Sequence, residues 1–231
     1  MRDLEAALRV GLADLALPLD DAQITRLLDY LDLIQKWTKV YNLTAVRDPA
    51  DMVTHHLLDS LAVIAPLRAQ LTGACARSVS PGVTTANVAA SKIRLLDVGS
   101  GAGLPGVVIA ICCPEVSVDC VDTVAKKAAF IRQVAATMKL PNLRGLHARV
   151  ESLTEKYEVV SSRAFASLAD FINWSAAALA EQGVWLAMKG KHPADEMAAL
   201  SAGVDVFHVE QLTVPGLDAE RCIVWMRKSA V

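Results

Sequence analysis

The stretch Leu95-Leu96-Asp97-Val98-Gly99-Ser100-Gly101-Ala102-Gly103-Leu104-Pro105-Gly106 decides the fold of this 231-residue chain. A short apolar run ends in an acid, glycines recur from Gly99 to Gly106, and a new apolar run starts at Val107. The pattern reads as a buried strand, a tight turn and the start of a helix. Glycine lets the turn take positive φ and lets a ligand press against bare backbone. Pro105 suits the first helical turn, where its missing N–H would have been unpaired anyway.

From Ile93 onward strand and helix alternate, which argues for a parallel sheet. Strands are predicted at Arg94–Val98, Ser117–Asp122, Leu143–Ala148, Val159–Ser162 and Gly183–Lys189. Helices are predicted at Pro105–Cys112, Val124–Lys139, Leu168–Glu181 and Pro193–Ser201. Val204–Val214 and Arg221–Arg227 are rich in strand formers. The turn Pro215-Gly216-Leu217-Asp218 joins them with no room for a helix, so they read as an antiparallel hairpin on the sheet edge.

Upstream the chain is helical. Leu4, Leu8, Leu12 and Leu15 make one stripe, and Ile24, Leu27, Leu28, Leu31 and Ile34 make a second, capped by Asp20 or Asp21 and ending near Tyr41. Asp48-Pro49 opens a third helix, with Met52, Val53, Leu57, Leu61 and Ile64 inward. Residues 73–91 are small, polar and aperiodic, the composition of a surface loop. The expected architecture is α/β. A helical extension (1–72) and a linker (73–92) precede a Rossmann-like domain (93–231) with a mostly parallel twisted sheet and a C-terminal antiparallel hairpin.

Hydrophobic residues make up 53% and charged residues 21%, so the chain is globular, not disordered. The longest apolar run, Val107 to Cys113, stops at Pro114, far short of the ~20 residues a membrane span needs. Asp3 and Glu5 stand where a signal peptide would be basic. The five cysteines form no C-x-x-C pair, which predicts reduced, mostly buried thiols and a cytoplasmic protein. Histidines and cysteines show no zinc spacing, so no metal is expected. A net charge of −2 argues against indiscriminate nucleic-acid binding and leaves room for a local basic patch. No heptad seam is present, and a monomer is expected. Trp37, Trp174, Trp185 and Trp225 read as core.

Ligands of open α/β sheets sit outside the carboxyl ends of the strands, near the point where strand order reverses. The strand ends offer Asp97 with its glycine loop, then Asp122, placed to accept hydrogen bonds from two ribose hydroxyls. They also offer Arg149-Val150-Glu151, Ser161-Ser162-Arg163-Ala164-Phe165 and Met188-Lys189-Gly190. Gly101-x-Gly103-x-x-Gly106 alone is shared with NAD enzymes. Two features favour a methyltransferase binding S-adenosylmethionine. Asp97 stands two residues before the first glycine, and a hairpin replaces the second α/β half.

Five strings carry a more specific resemblance. They are Lys39-Val40-Tyr41-Asn42-Leu43-Thr44-Ala45-Val46-Arg47-Asp48-Pro49, His56-x-x-Asp59-Ser60-Leu61, Asp97 through Gly106, Ser162-Arg163-Ala164-Phe165-Ala166-Ser167-Leu168, and Lys189-Gly190. In this order they resemble the bacterial 16S rRNA guanine-N7 methyltransferase family (RsmG, formerly GidB). The resemblance implies methyl transfer from S-adenosylmethionine to N7 of one guanine in the decoding-region loop of the small-subunit rRNA. It implies cofactor contacts from Gly99 and Leu104, within the loop that holds Gly101 and Gly103, and from Val150, Glu151 and Arg163.

Arg163, Lys189 and Asn42 are the candidates at the reacting site, and Lys39, Arg47 and Lys191 are further candidates for phosphate contacts. Asn42 and Thr44 serve equally well as turn caps, and Asp59 and His56 are spaced to bond each other or that turn. The stretch 73–91 is longer than the family's usual connection. The alternative is a methyltransferase of the same fold acting on a small molecule.

Overall fold

The computed structural model describes residues 2–78 and 93–229, and side chains apart from those of residues 74–78. Before the sheet come α1 (Arg2–Asp14), α2 (Asp21–Tyr41), α3 (Pro49–Met52), a π-helical turn (Val53–Leu58), α4 (Asp59–Leu61) and α5 (Ile64–Ser78). The sheet-bearing part runs β1 (Arg94–Val98), α6 (Gly106–Cys112), β2 (Ser117–Asp122), α7 (Ala125–Thr137) and β3 (Leu143–His147). It continues with a 3-10 turn (Val150–Ser152), β4 (Tyr157–Arg163), α8 (Leu168–Ser175), β5 (Leu179–Lys189), α9 (Ala194–Ala198), β6 (Val204–Leu212) and β7 (Arg221–Lys228).

Local chemistry explains most boundaries. α2 opens with a capping box: the Gln23 N–H donates to Asp20 Oδ1 at 2.7 Å, and the Asp20 N–H donates to Gln23 Oε1 at 3.1 Å. It closes at Asn42 in the left-handed region, φ 51°. The Asp48 carboxylate caps α3 through the Ala50 N–H at 2.8 Å.

Three expectations need correction. The third N-terminal helix is not continuous, because the π turn at Val53–Leu58 adds a residue and swings His56, Asp59 and Ser60 inward. α5 runs to Ser78, past residue 73 where the loop was expected; the rest of that stretch, 79–92, lies outside the described residues. α8 ends at Ser175 instead of Glu181, and β5 begins at Leu179. There Ala178 O accepts the Tyr157 N–H at 2.9 Å, and Leu179 pairs with Tyr157 across a bulge, so this apolar run is strand, not helix.

The sheet order is β3-β2-β1-β4-β5-β7-β6, with β7 antiparallel to both neighbours. Chain order reverses between β1 and β4, so the crevice outside their carboxyl ends is the switch point. Side chains alternate across the sheet: Leu95, Val159 and Leu186 enter one apolar cluster, and Leu96, Val160 and Trp185 the other. The first cluster reaches from Leu8, Tyr30 and Leu57 of the N-terminal helices to Trp225 of β7, so those helices share a core with the sheet. Cys112, Cys113, Cys120 and Cys222 are free, buried thiols, and the side chain of Cys75 lies outside the described set. Among the described residues no helix is long and apolar enough to cross a membrane.

Candidate active site

Asp97 organises the glycine loop from below. It is buried; its Oδ2 accepts the Gly106 N–H at 3.0 Å, and its Oδ1 accepts the Ser161 hydroxyl at 3.0 Å. Burial pushes its pKa up to about 7, against the pull of those two hydrogen bonds. A raised folded value means that ionising Asp97 costs stability, and the cost accrues as pH rises from the ordinary carboxylate range to about 7. Asp97→Asn keeps an oxygen for Gly106 and removes the charge. It is expected to gain a few kcal/mol over the native chain at pH 8 and nothing near pH 4. Urea unfolding of both proteins across that range checks this, and a pH-independent difference counts against it.

Gly99, Gly101 and Gly103 all take positive φ, at 65°, 59° and 91°. An added Cβ at Gly101 would meet nothing closer than 4.0 Å, so that side of the loop faces open space. Leu104 is buried in the loop, and the Ser100 hydroxyl is buried without a hydrogen-bond partner. The extension props the loop: the buried Tyr30 hydroxyl of α2 donates to Ala102 O at 2.6 Å. At the end of β2, Asp122 Oδ2 accepts the Gly101 N–H at 3.1 Å and Oδ1 accepts the Val124 N–H at 2.8 Å. Val150 is buried in the second apolar cluster, and Glu151 beside it is exposed.

Arg163, Arg221 and Lys189 are paired. Arg163, ending β4, donates through Nη1 to Asp59 Oδ2 at 2.7 Å and to His55 O at 3.0 Å. Arg221, opening β7, donates through Nε to Asp59 Oδ1 at 2.8 Å. Two guanidinium groups thus share one buried carboxylate, and the three-residue cluster keeps one positive charge to spare. Lys189, ending β5, donates to both carboxylate oxygens of Glu196 at 2.9 and 2.8 Å and to Ala166 O at 3.2 Å. Asn42 acts locally: its Oδ1 accepts from Arg47 at 2.8 Å.

Of the two alternatives for His56 and Asp59, each other or the turn at Asn42, His56 takes the turn. His56 Nε2 pairs with Thr44 Oγ1 at 2.9 Å, while Asp59 takes the two arginines. Burial, reinforced by Arg163, lowers the His56 pKa to about 4, so it is neutral at pH 7. Trp185 and Trp225 are core as expected, whereas Trp174 is 39% exposed. Sequence reading also passed over Arg221, Glu196 and Tyr30, whose partners lie on other elements.

Sheet order, glycine loop and strand-end acid together define the Rossmann-like methyltransferase class. Two solved structures share that fold: TrmN from Thermus thermophilus (TM-score 0.50, 19% identity, 60% of this chain and 44% of that one), and the mitomycin 7-O-methyltransferase MmcR (TM-score 0.57, 13% identity, 87% of this chain and 60% of that one). The family model for rRNA small subunit methyltransferase G (GidB) matches residues 23–76 and 75–224. The ribosomal RNA small subunit methyltransferase G of Albidiferax ferrireducens is 74% identical over 231 residues, covering 100% of both chains. That of Acidovorax ebreus is 66% identical over 227 residues, 98% of this chain and 96% of its own. The chain belongs to the rRNA small subunit methyltransferase G family.

Proposed function

We propose that this protein moves a methyl group from S-adenosylmethionine to N7 of one guanine in the decoding-region loop of 16S rRNA, acting in the cytoplasm as a monomer on the small ribosomal subunit. The full-length family match carries the reading. The local chemistry fits the cofactor: a glycine loop with open space at Gly101, an unpartnered Ser100 hydroxyl, and a strand-end acid at Asp122. Gly99, Gly101, Gly103 and Leu104 would hold the cofactor from the loop, with Val150, Glu151 and Arg163 from neighbouring strand ends. Asp122 Oδ1 keeps a lone pair for a ribose hydroxyl after binding the Val124 N–H, while Oδ2 takes the Gly101 N–H and, at 3.4 Å, the Lys127 ammonium.

S-adenosylmethionine supplies an electrophilic methyl on sulfur. Guanine N7 brings an in-plane lone pair and no proton, so the chain needs no general base. Its work is alignment of the two reactants. The surplus positive charge of Arg163 and Arg221 over Asp59 suits an RNA phosphate. Lys189, steadied by Glu196, suits a phosphate or the guanine edge, and Asn42 with Arg47 suits the flanking backbone.

Transfer of labelled methyl from S-adenosylmethionine to small subunits lacking the modification tests the reading, with the product base mapped. One N7-methylguanine in the decoding-region loop is the expected result. Cofactor binding without transfer to these subunits would overturn the substrate assignment.

A further inference from the structure

Phe165 sits in the loop after β4 between two alanines in the left-handed region, Ala164 at φ 51° and Ala166 at φ 48°. L-residues rarely adopt that conformation, and an alternating pair around one aromatic ring calls for a reason. The loop delivers the edge of the ring to the glycine turn. A Cβ at Gly99 would lie 2.3 Å from Phe165 Cδ2, so only glycine permits the approach. The contact falls at the switch point between β1 and β4. Trp174 meets Phe165 at 71° with ring centroids 5.7 Å apart, and it remains 39% exposed.

The loop is held from several sides. Lys189 donates to Ala166 O at 3.2 Å, Glu196 Oε2 accepts the Leu168 N–H at 2.7 Å, and Arg163 is tied to Asp59. A ring needed only as filler would not require a strained loop or leave an indole half in water beside it.

The proposed reaction supplies the reason. The N7 lone pair lies in the plane of the guanine, so in-line attack needs that plane held while its rim stays free. Stacking on an aromatic ring does both, and enzymes that act on a base hold it this way. We propose that Phe165, buttressed by Trp174, is the platform on which the acceptor guanine stacks; the proposal rests on the rRNA reading above.

The test is steady-state methylation of small subunits lacking the modification by Phe165→Leu, Phe165→Met, Phe165→Tyr and Phe165→Trp. Cofactor Kd by calorimetry and melting temperature are measured alongside. Leu and Met, flexible and without a flat face, are expected to lower kcat about 10- to 100-fold, the scale of one lost base–aromatic stack. S-adenosylmethionine Kd should stay within about threefold of the native value, and Tyr and Trp should restore most of the rate. Native kcat in the Leu and Met variants overturns the proposal. So does an equal loss in folded Tyr and Trp variants, or a loss explained by weaker cofactor binding. Failure of the native protein to form N7-methylguanine sinks the underlying reading instead, and is seen before any variant is compared.

Discussion

Asp59→Ala is expected to lower stability by about 3 kcal/mol, which for a chain of this size moves Tm down by roughly 6–12 °C. Asp59 is 3% exposed and bridges Arg163 at 2.7 Å and Arg221 at 2.8 Å. Alanine removes the carboxylate those two guanidinium groups share and leaves them facing each other. Removing one partner of a buried pair costs about 3–5 kcal/mol, because the survivor stays desolvated. The arginine side chains keep 20% and 25% exposure, so water recovers part of the loss and the lower end applies. Asp59→Asn keeps hydrogen-bond acceptance without the charge and should cost less. The bridge joins the N-terminal helices, the end of β4 and the start of β7, so methyl transfer should fall even at temperatures where the variant is folded. Thermal melts beside activity at a low temperature check both parts. A Tm within about 2 °C of native would show that the bridge contributes little.

That bridge also marks where sequence reading stops. The glycine loop, the five parallel strands and the edge hairpin are local signals: an acid before glycines, short apolar runs alternating with helices, a Pro-Gly turn too short for a crossover. The capping box at Asp20 and Gln23 is equally local. Asp59 meets Arg221 across 162 residues, and Tyr30 meets Ala102 across 72, and no periodicity encodes either pairing. The π turn was hidden because the expected apolar positions Val53, Leu57 and Leu61 are buried across it, while the turn also buries His56 and Asp59. Trp174 read as core because an indole is large and apolar. It is 39% exposed, at the last turn of α8, which stops at Ser175 while the Leu179 segment it was expected to continue into joins the sheet. The Phe165 loop is silent in the sequence: alanine at 164 and 166 gives no hint of left-handed backbone.

Gly103→Ala is expected to damage the fold, and Gly101→Ala to damage only what the loop holds. At Gly103 the backbone has φ +91°, and a Cβ would lie 2.5 Å from Ile131 Cδ1, 2.5 Å from Val107 Cγ2 and 3.3 Å from the Tyr30 hydroxyl oxygen. All three neighbours are buried, on α7, α6 and α2, so none can swing into solvent. Overpacking of this kind costs about 1–3 kcal/mol, and forcing an L-residue left-handed adds about 1–2 kcal/mol. The sum is about 2–5 kcal/mol, a large part of the stability of a domain. At Gly101 the backbone has φ +59°, and the nearest atom to a Cβ is Gly99 O at 4.0 Å, so only the backbone cost of about 1–2 kcal/mol applies. The methyl then projects into the open space assigned above to the cofactor. S-adenosylmethionine affinity should therefore fall by about tenfold or more while Tm drops by only a few degrees. Melting curves and calorimetric titration of both variants separate the two effects. Native cofactor affinity in Gly101→Ala would show that this side of the loop does not face the ligand. A native-like Tm in Gly103→Ala would show that α2, α6 and α7 yield where their burial says they cannot.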